Sequence, residues 1–288
     1  MSKIQIKAFF DTATYTVTYV VFDKTSKDAI IIDSVLDFDS PSGRTSTNSA
    51  DRVIEYVRSN ELDVEWILET HAHADHLSAA PYLKEKLHGK TAIGTHIKDV
   101  QSTFKQVFNL EREFLVDGSQ FDQLLSDGDL IRFGETEIKV IHTPGHTPAC
   151  VCYLIEDAVF VGDTMFMPDF GTARTDFPGG DAATLFESIK RILKLPNDTR
   201  VFTGHDYMAE GRDEFAWEST IAEQKQKNIH VNDAVSKREF INFRTTRDAS
   251  LDMPKLILPS VQVNIRAGNM PPKDDNGIAY LKLPIDAL

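Results

Sequence analysis

The chain has 288 residues, 41% hydrophobic and 26% charged, with a formal net charge of −13; this is the composition of a folded protein with a sizeable core and argues against extended disorder. The acidic balance, with no long basic run, repels phosphate backbones and excludes nucleic acid as a partner, so an anionic substrate needs locally placed Arg or Lys. No apolar core of signal-peptide length opens the sequence and no run approaches about 18 apolar residues, so the expectation is a cytoplasmic protein that uses no membrane.

In chain order, Ile4, Ile6 and Ala8, then Tyr15, Val17, Tyr19 and Val21, alternate at period two and predict strands. Ala29 to Asp33 predicts a buried strand closing a meander. Asp39 to Asn48 is polar and reads as a loop, followed by a helix with Val53, Ile54 and Val57 on one face and Ser49 as its cap. Val64 to Glu69 is a further buried strand. Pro81 to Leu87 predicts a helix and Thr91 to Thr95 a strand. Ile97 to Leu125 reads as an irregular helical insertion that covers something.

Strands follow at Glu137 to Ile141, Cys150 to Ile155 and Val159 to Gly162, the last two joined by a tight turn at Glu156-Asp157. Cys150 and Cys152, the only cysteines, sit two apart on one strand, a spacing that does not favour disulfide geometry and agrees with a reducing compartment. Thr184 to Leu195 is an amphipathic helix with Leu185, Ile189, Ile192 and Leu193 inward. Val201 to Thr203 is a short strand and Phe215 to Lys227 another helix. Strands and helices alternate with no linker between the halves, so residues 1–288 form one α/β domain with a C-terminal extension from about Asn228.

Four motifs, each at the end of a predicted strand, concentrate the chemistry. Thr70-His71-Ala72-His73-Ala74-Asp75-His76 places four potential ligands within six residues, and imidazole with carboxylate suits zinc, iron or manganese. Exposed histidines on a polar loop are the competing reading, and three of the chain's nine His in so short a span weigh against it. In His142-Thr143-Pro144-Gly145-His146-Thr147-Pro148, the Gly and Pro make a rigid loop with His146 at its tip, while His142 reads as structural. Asp163 ends the apolar run Val161-Gly162, where a charge is costly to bury unless a metal or a turn compensates it. Thr203-Gly204-His205-Asp206-Tyr207 repeats the strand-Gly-His pattern.

In this order, the motifs resemble the metallo-β-lactamase superfamily. His-Ala-Asp-His, Thr-Pro-Gly-His-Thr-Pro-Ala-Cys, the Arg174-Thr-Asp176-Phe-Pro stretch and Asn264-Ile265-Arg266-Ala267-Gly268 are similar to its persulfide dioxygenase branch, close to glyoxalase II. The resemblance implies an αββα sandwich of two mixed sheets flanked by helices. It implies one Fe(II) per chain on His71, His146 and Asp163, a set with the two-His-one-carboxylate chemistry of non-haem iron oxygenases. His73, Asp75, His76 and His205 would orient those ligands or hold a second metal. Arg174, Tyr207, Asn264 and Arg266 resemble glutathione-contact or supporting positions.

Met165, Phe166, Met167 and Phe170 read as core, and Cys150 as a small buried residue. The expected activity is oxidation of glutathione persulfide by O₂ to sulfite and glutathione, by a chain that could pair as a homodimer. The alternative is a glyoxalase II-like thioesterase with a dinuclear site, zinc included. A non-catalytic metal or thiol sensor is a third reading, against which four intact motifs argue.

Overall fold

A computed structural model describes residues 3–286. Its first half runs β1 (Ile4–Phe10), β2 (Val17–Asp23), β3 (Asp28–Ile32), β4 (Val35–Asp39), β5 (Arg44–Ser46), α1 (Asn48–Ser59), β6 (Asp63–Leu68), β7 (Leu77–Ser78), α2 (Ala80–Leu87), β8 (Lys90–Gly94), α3 (Ile97–Val107) and β9 (Gln123–Leu125). The second half runs β10 (Leu130–Phe133), β11 (Thr136–His142), β12 (Val151–Ile155), β13 (Ala158–Phe160), α4 (Ala182–Ile192), β14 (Arg200–Phe202), β15 (Glu218–Thr220), α5 (Ile221–Lys227), α6 (Lys237–Asp248) and α7 (Ile257–Asn264).

Two six-stranded mixed sheets, ordered β1-β2-β3-β6-β8-β9 and β10-β11-β12-β13-β14-β15, face each other, with a small β5-β4-β7 sheet beside them. Period-two alternation explains the layering. Val17, Tyr19 and Val21 of β2, Ile30 and Ile32 of β3, and Val151, Tyr153 and Ile155 of β12 meet in the core between the sheets. The opposite faces of β2 and β3, with Val20, Phe22, Ala29 and Ile31, pack on α1 and α2. Val159, Val201 and Cys152 lie with Leu185, Ile189 and Ile192 of α4 and Phe240 of α6. This is the αββα sandwich with helices on both outer faces.

Several expectations are corrected. The polar stretch 39–48 holds a hairpin, with Asp39 opposite Arg44 and Asp37 opposite Ser46; the exposed strand Arg44–Ser46 has no apolar alternation to announce it. Thr47, not Ser49, occupies the N-cap of α1, and Ser49 instead gives its amide and hydroxyl to Asp37 at 2.9 and 2.8 Å. The helix in 97–125 stops at Val107 and the segment ends in β9; Leu110, Phe114 and Phe121 come from irregular chain yet join the α3 core. Residues 215–227 open on irregular chain and then β15, and the capping box Thr220/Glu223 starts α5 only at Ile221. β10 went unseen because a four-residue strand leaves little pattern.

Candidate metal centre

The site forms where strands end. β3 and β6 run parallel in the first sheet and β13 and β14 parallel in the second, so Asp33, Glu69 to His76, Asp163 and His205 emerge along one edge, the side on which open α/β sheets collect ligands. Backbone bonds stitch this edge together, Val151 N to Thr70 O at 2.9 Å and Val17 N to Gly204 O at 2.8 Å across the two sheets and Gly204 N to Gly162 O at 3.0 Å within the second. The Tyr153 hydroxyl donates to Glu69 O at 2.8 Å and that of Tyr19 to Thr203 O at 2.6 Å. Gly162 is required here: it has φ +48°, and a Cβ would lie 2.4 Å from Thr70 Oγ1. Gly145, at φ +134°, lets the His146 loop sit against the Leu185 backbone, 2.4 Å from where a Cβ would be.

His71, His146 and Asp163 converge, each buried, with ligand atoms within 4.8 Å of one another. Asp163 Oδ2 lies 3.9 Å from His71 Nε2 and 3.6 Å from His146 Nε2, and two donors about 2.1 Å from one ion lie at most about 4.2 Å apart. The His146 Nδ1 hydrogen bond to Arg174 O at 2.8 Å assigns the proton to Nδ1 and leaves the Nε2 lone pair directed inward. Burial first, then the neighbouring imidazoles, pushes His71 well below the usual imidazole range, so it is neutral.

A second group, His73, Asp75, His76 and His205, also lies within 4.8 Å. The His205 Nε2 is 3.2 Å from Asp75 Oδ2 and 3.4 Å from Asp163 Oδ1, so Asp163 turns one oxygen to each group. Among the described residues, ten buried side-chain polar atoms lack a hydrogen-bond partner, and seven belong to His71, His73, Asp75, His76, Asp163 and His205. Native interiors rarely tolerate that. His205 contributes both ring nitrogens, of which one carries the proton; a cation bound by the remaining lone pairs removes most of the deficit, so the donor set fits a metal.

Behind this layer stand residues the sequence reading passed over. His73 Nε2 lies 3.1 Å from both Asp33 Oδ1 and Glu69 Oε2. Burial pulls the His73 pKa down, but the two carboxylates outweigh it and hold it well above the usual imidazole range. Asp33 has φ +53° and also receives the Thr70 amide at 2.7 Å and hydroxyl at 2.8 Å. Each acid follows an apolar strand aimed at the site, the one signal that could have marked it.

The four residues carried over as substrate contacts divide. The Tyr207 ring lies parallel to His205, 5.5 Å centroid to centroid, with Phe166 and Phe170 at 5.7 and 5.4 Å, so it walls the centre. Phe166 thereby serves both core and site. Arg174 grips Asp176 bidentately at 2.6 Å and donates to Asp252 O at 2.7 Å. Arg266 pairs with Glu111 at 2.6 and 2.9 Å, its guanidinium 4.6 Å from the Phe114 ring centroid. Asn264 binds backbone groups of the metal loop. Cys150 and Cys152 are free and buried, and burial pushes their pKa values up to about 12 and about 11.

Residues 11–205 match the family model described as the Metallo-beta-lactamase superfamily. The chain is 53% identical to Glyoxylase B2 of Dictyostelium discoideum, an alignment covering 100% of this chain and 99% of that protein. It is 28% identical to the mitochondrial Persulfide dioxygenase ETHE1 of Homo sapiens, covering 93% and 91% of the two chains. The crystal structure of ETHE1 from Myxococcus xanthus is similar at a TM-score of 0.73 and 30% identity, covering 92% of this chain and 100% of that one. Among the described residues, no helix is long and apolar enough to cross a membrane.

Proposed function

The chain belongs to the Metallo-beta-lactamase superfamily, and from that premise we propose that it oxidises glutathione persulfide with O₂ at a mononuclear iron, as a persulfide dioxygenase. The overall change is glutathione persulfide + O₂ + H₂O → glutathione + sulfite + 2 H⁺. The S–S bond breaks, the outer sulfur loses four electrons to O₂, and water supplies the third oxygen of sulfite. The observation behind this reading is the buried trio His71, His146 and Asp163, two imidazoles and a carboxylate with their ligand atoms directed at one point. The likeness to ETHE1 proteins agrees with it.

Iron held by that trio would supply adjacent coordination positions for a thiolate-like sulfur and O₂. The chain's own residues then have distinct tasks. Arg174 O fixes the His146 tautomer. Tyr207, Phe166 and Phe170 restrict water on one side of the centre. Arg174 would grip a glutathione carboxylate by exchanging it for Asp176, whose side chain is 34% exposed.

One observation favours a second reading, a thioesterase like glyoxalase II. The group His73, Asp75, His76 and His205 is intact, and Asp163 offers an oxygen to both groups, as a bridged pair of metals would need. The relative named Glyoxylase B2 points the same way. Metal analysis of protein matured with iron available separates the two: the dioxygenase reading expects about one iron per chain and persulfide-dependent O₂ consumption. Two zinc ions per chain with full thioester turnover would replace it with the hydrolase.

A further inference from the structure

The backbone between β6 and β7 follows no regular pattern, so its amides and carbonyls must find partners outside a sheet ladder. Asn264, at the end of α7 and only 3% exposed, supplies two of them and a third just beyond, in β7. Its Nδ2 donates to the carbonyls of His73 at 2.8 Å and His76 at 2.7 Å, and its Oδ1 accepts from the Ser78 amide at 2.8 Å. Both amide hydrogens and the carbonyl oxygen are thus spent on one loop, 186 to 191 residues away in the chain.

The helix bearing this amide is itself anchored. Gln101 Nε2 donates to Ile265 O at 2.9 Å, Gln262 exchanges bonds with the Lys282 backbone at 2.8 and 2.9 Å, and Arg266 pairs with Glu111. Ile257, Val261 and Ile265 pack with Ala72 of the loop.

We infer that Asn264 is a positioning residue of the metal centre. By pinning the carbonyls of His73 and His76 it sets the path of the loop that presents His71, His73, Asp75 and His76, and makes the C-terminal segment part of the centre. The inference holds whichever reaction the centre performs, because it concerns how the donors are held. A side chain that orients ligands without touching the ion typically governs metal affinity on the order of 10- to 100-fold.

The test uses the full chain, stripped of metal and titrated with Co(II), following melting temperature, affinity and visible spectrum. Binding to the folded state alone stabilises in proportion to the logarithm of ligand concentration over Kd, so a purely structural defect lowers the metal-free and metal-bound melting temperatures together. Weaker binding shrinks the gap between them. Asn264→Ala should shrink that gap, weaken Co(II) on the order of 10- to 100-fold and alter the spectrum. Asn264→Ser, less disruptive to packing, should do the same in smaller measure and serves if the Ala variant fails to fold. Gln262→Ala, which removes only the bonds to Lys282 and Leu258 O, loosens one anchor of the helix and leaves the bonds to the loop carbonyls in place, so it should lower the metal-free melting temperature and narrow the gap far less than Asn264→Ala. Wild-type Co(II) affinity and spectrum in Asn264→Ser, or an equal narrowing of the gap in Gln262→Ala, would overturn the assignment.

Discussion

Two buried polar clusters lie side by side and are built on opposite terms. In one, Arg244 and Asp248, each 3% exposed, pair at 2.6 Å; Asp248 also takes the Thr175 amide at 2.8 Å and hydroxyl at 3.1 Å, and Arg244 donates to Thr172 O at 2.9 Å. None of its atoms lacks a partner. In the other, around His71 and Asp163, seven buried atoms do. A buried charge pair with its hydrogen bonds complete is scaffold, whereas convergent lone pairs without donors are arranged for a cation. The two are coupled: the first cluster holds segment 172–175, and Arg174 O in that segment fixes His146.

The comparison breaks most visibly if the two clusters answer substitution alike. Asp163→Asn should abolish activity and metal binding while leaving the metal-free protein as stable as wild type or more so, because it removes a buried charge with an unpartnered oxygen. Metal analysis beside thermal melts of stripped protein checks both halves. Asp248→Ala should do the reverse to stability, costing about 3–5 kcal/mol by stranding the Arg244 guanidinium. Denaturant unfolding of the stripped protein measures that, and a loss under 1 kcal/mol would place Arg244 in water rather than in the core.

Substrate grip is the next effect in size. If Arg174 holds a substrate carboxylate as proposed, Arg174→Ala should lower kcat/KM by on the order of 10- to 150-fold, the loss of one charged hydrogen-bonded pair at about 1.5–3 kcal/mol, with metal content retained because the bond to His146 comes from the Arg174 backbone carbonyl. Unchanged kinetics would make the Arg174–Asp176 pair purely structural. The smallest effect belongs to Cys150. Burial raises its thiol pKa to about 12, so it stays protonated at neutral pH and is a poor ligand. Cys150→Ser should leave metal content at the wild-type level, whereas a drop would bring the thiol into the centre.

What the sequence made legible follows the same division. His71, His73, Asp75, His76, His146, Asp163 and His205 stood out because each follows an apolar strand in a short Gly-, Pro- or His-marked loop, and these strand ends meet at one edge. Asp33 and Glu69 follow strands equally, but a single acid in an unmarked sequence looks like any surface turn. Asn264 was noticed through a motif resemblance that suggested a substrate contact; only the packing of α7 shows its amide spent on loop backbone. The core strand β2 declared itself by alternation and β3 by a continuous apolar run, while β5, β9, β10 and β15, three or four residues each, offered too few periods to read.

The dependence on O₂ tests the proposed chemistry most directly. Iron-loaded protein mixed with glutathione persulfide under strict anaerobiosis should form no sulfite; admitting O₂ should give sulfite with one O₂ consumed per sulfite, while an S-acyl glutathione is turned over slowly or not at all in either atmosphere. Rapid anaerobic hydrolysis of the thioester, with no persulfide-dependent O₂ uptake, would contradict it and move the centre to metal-hydroxide hydrolysis.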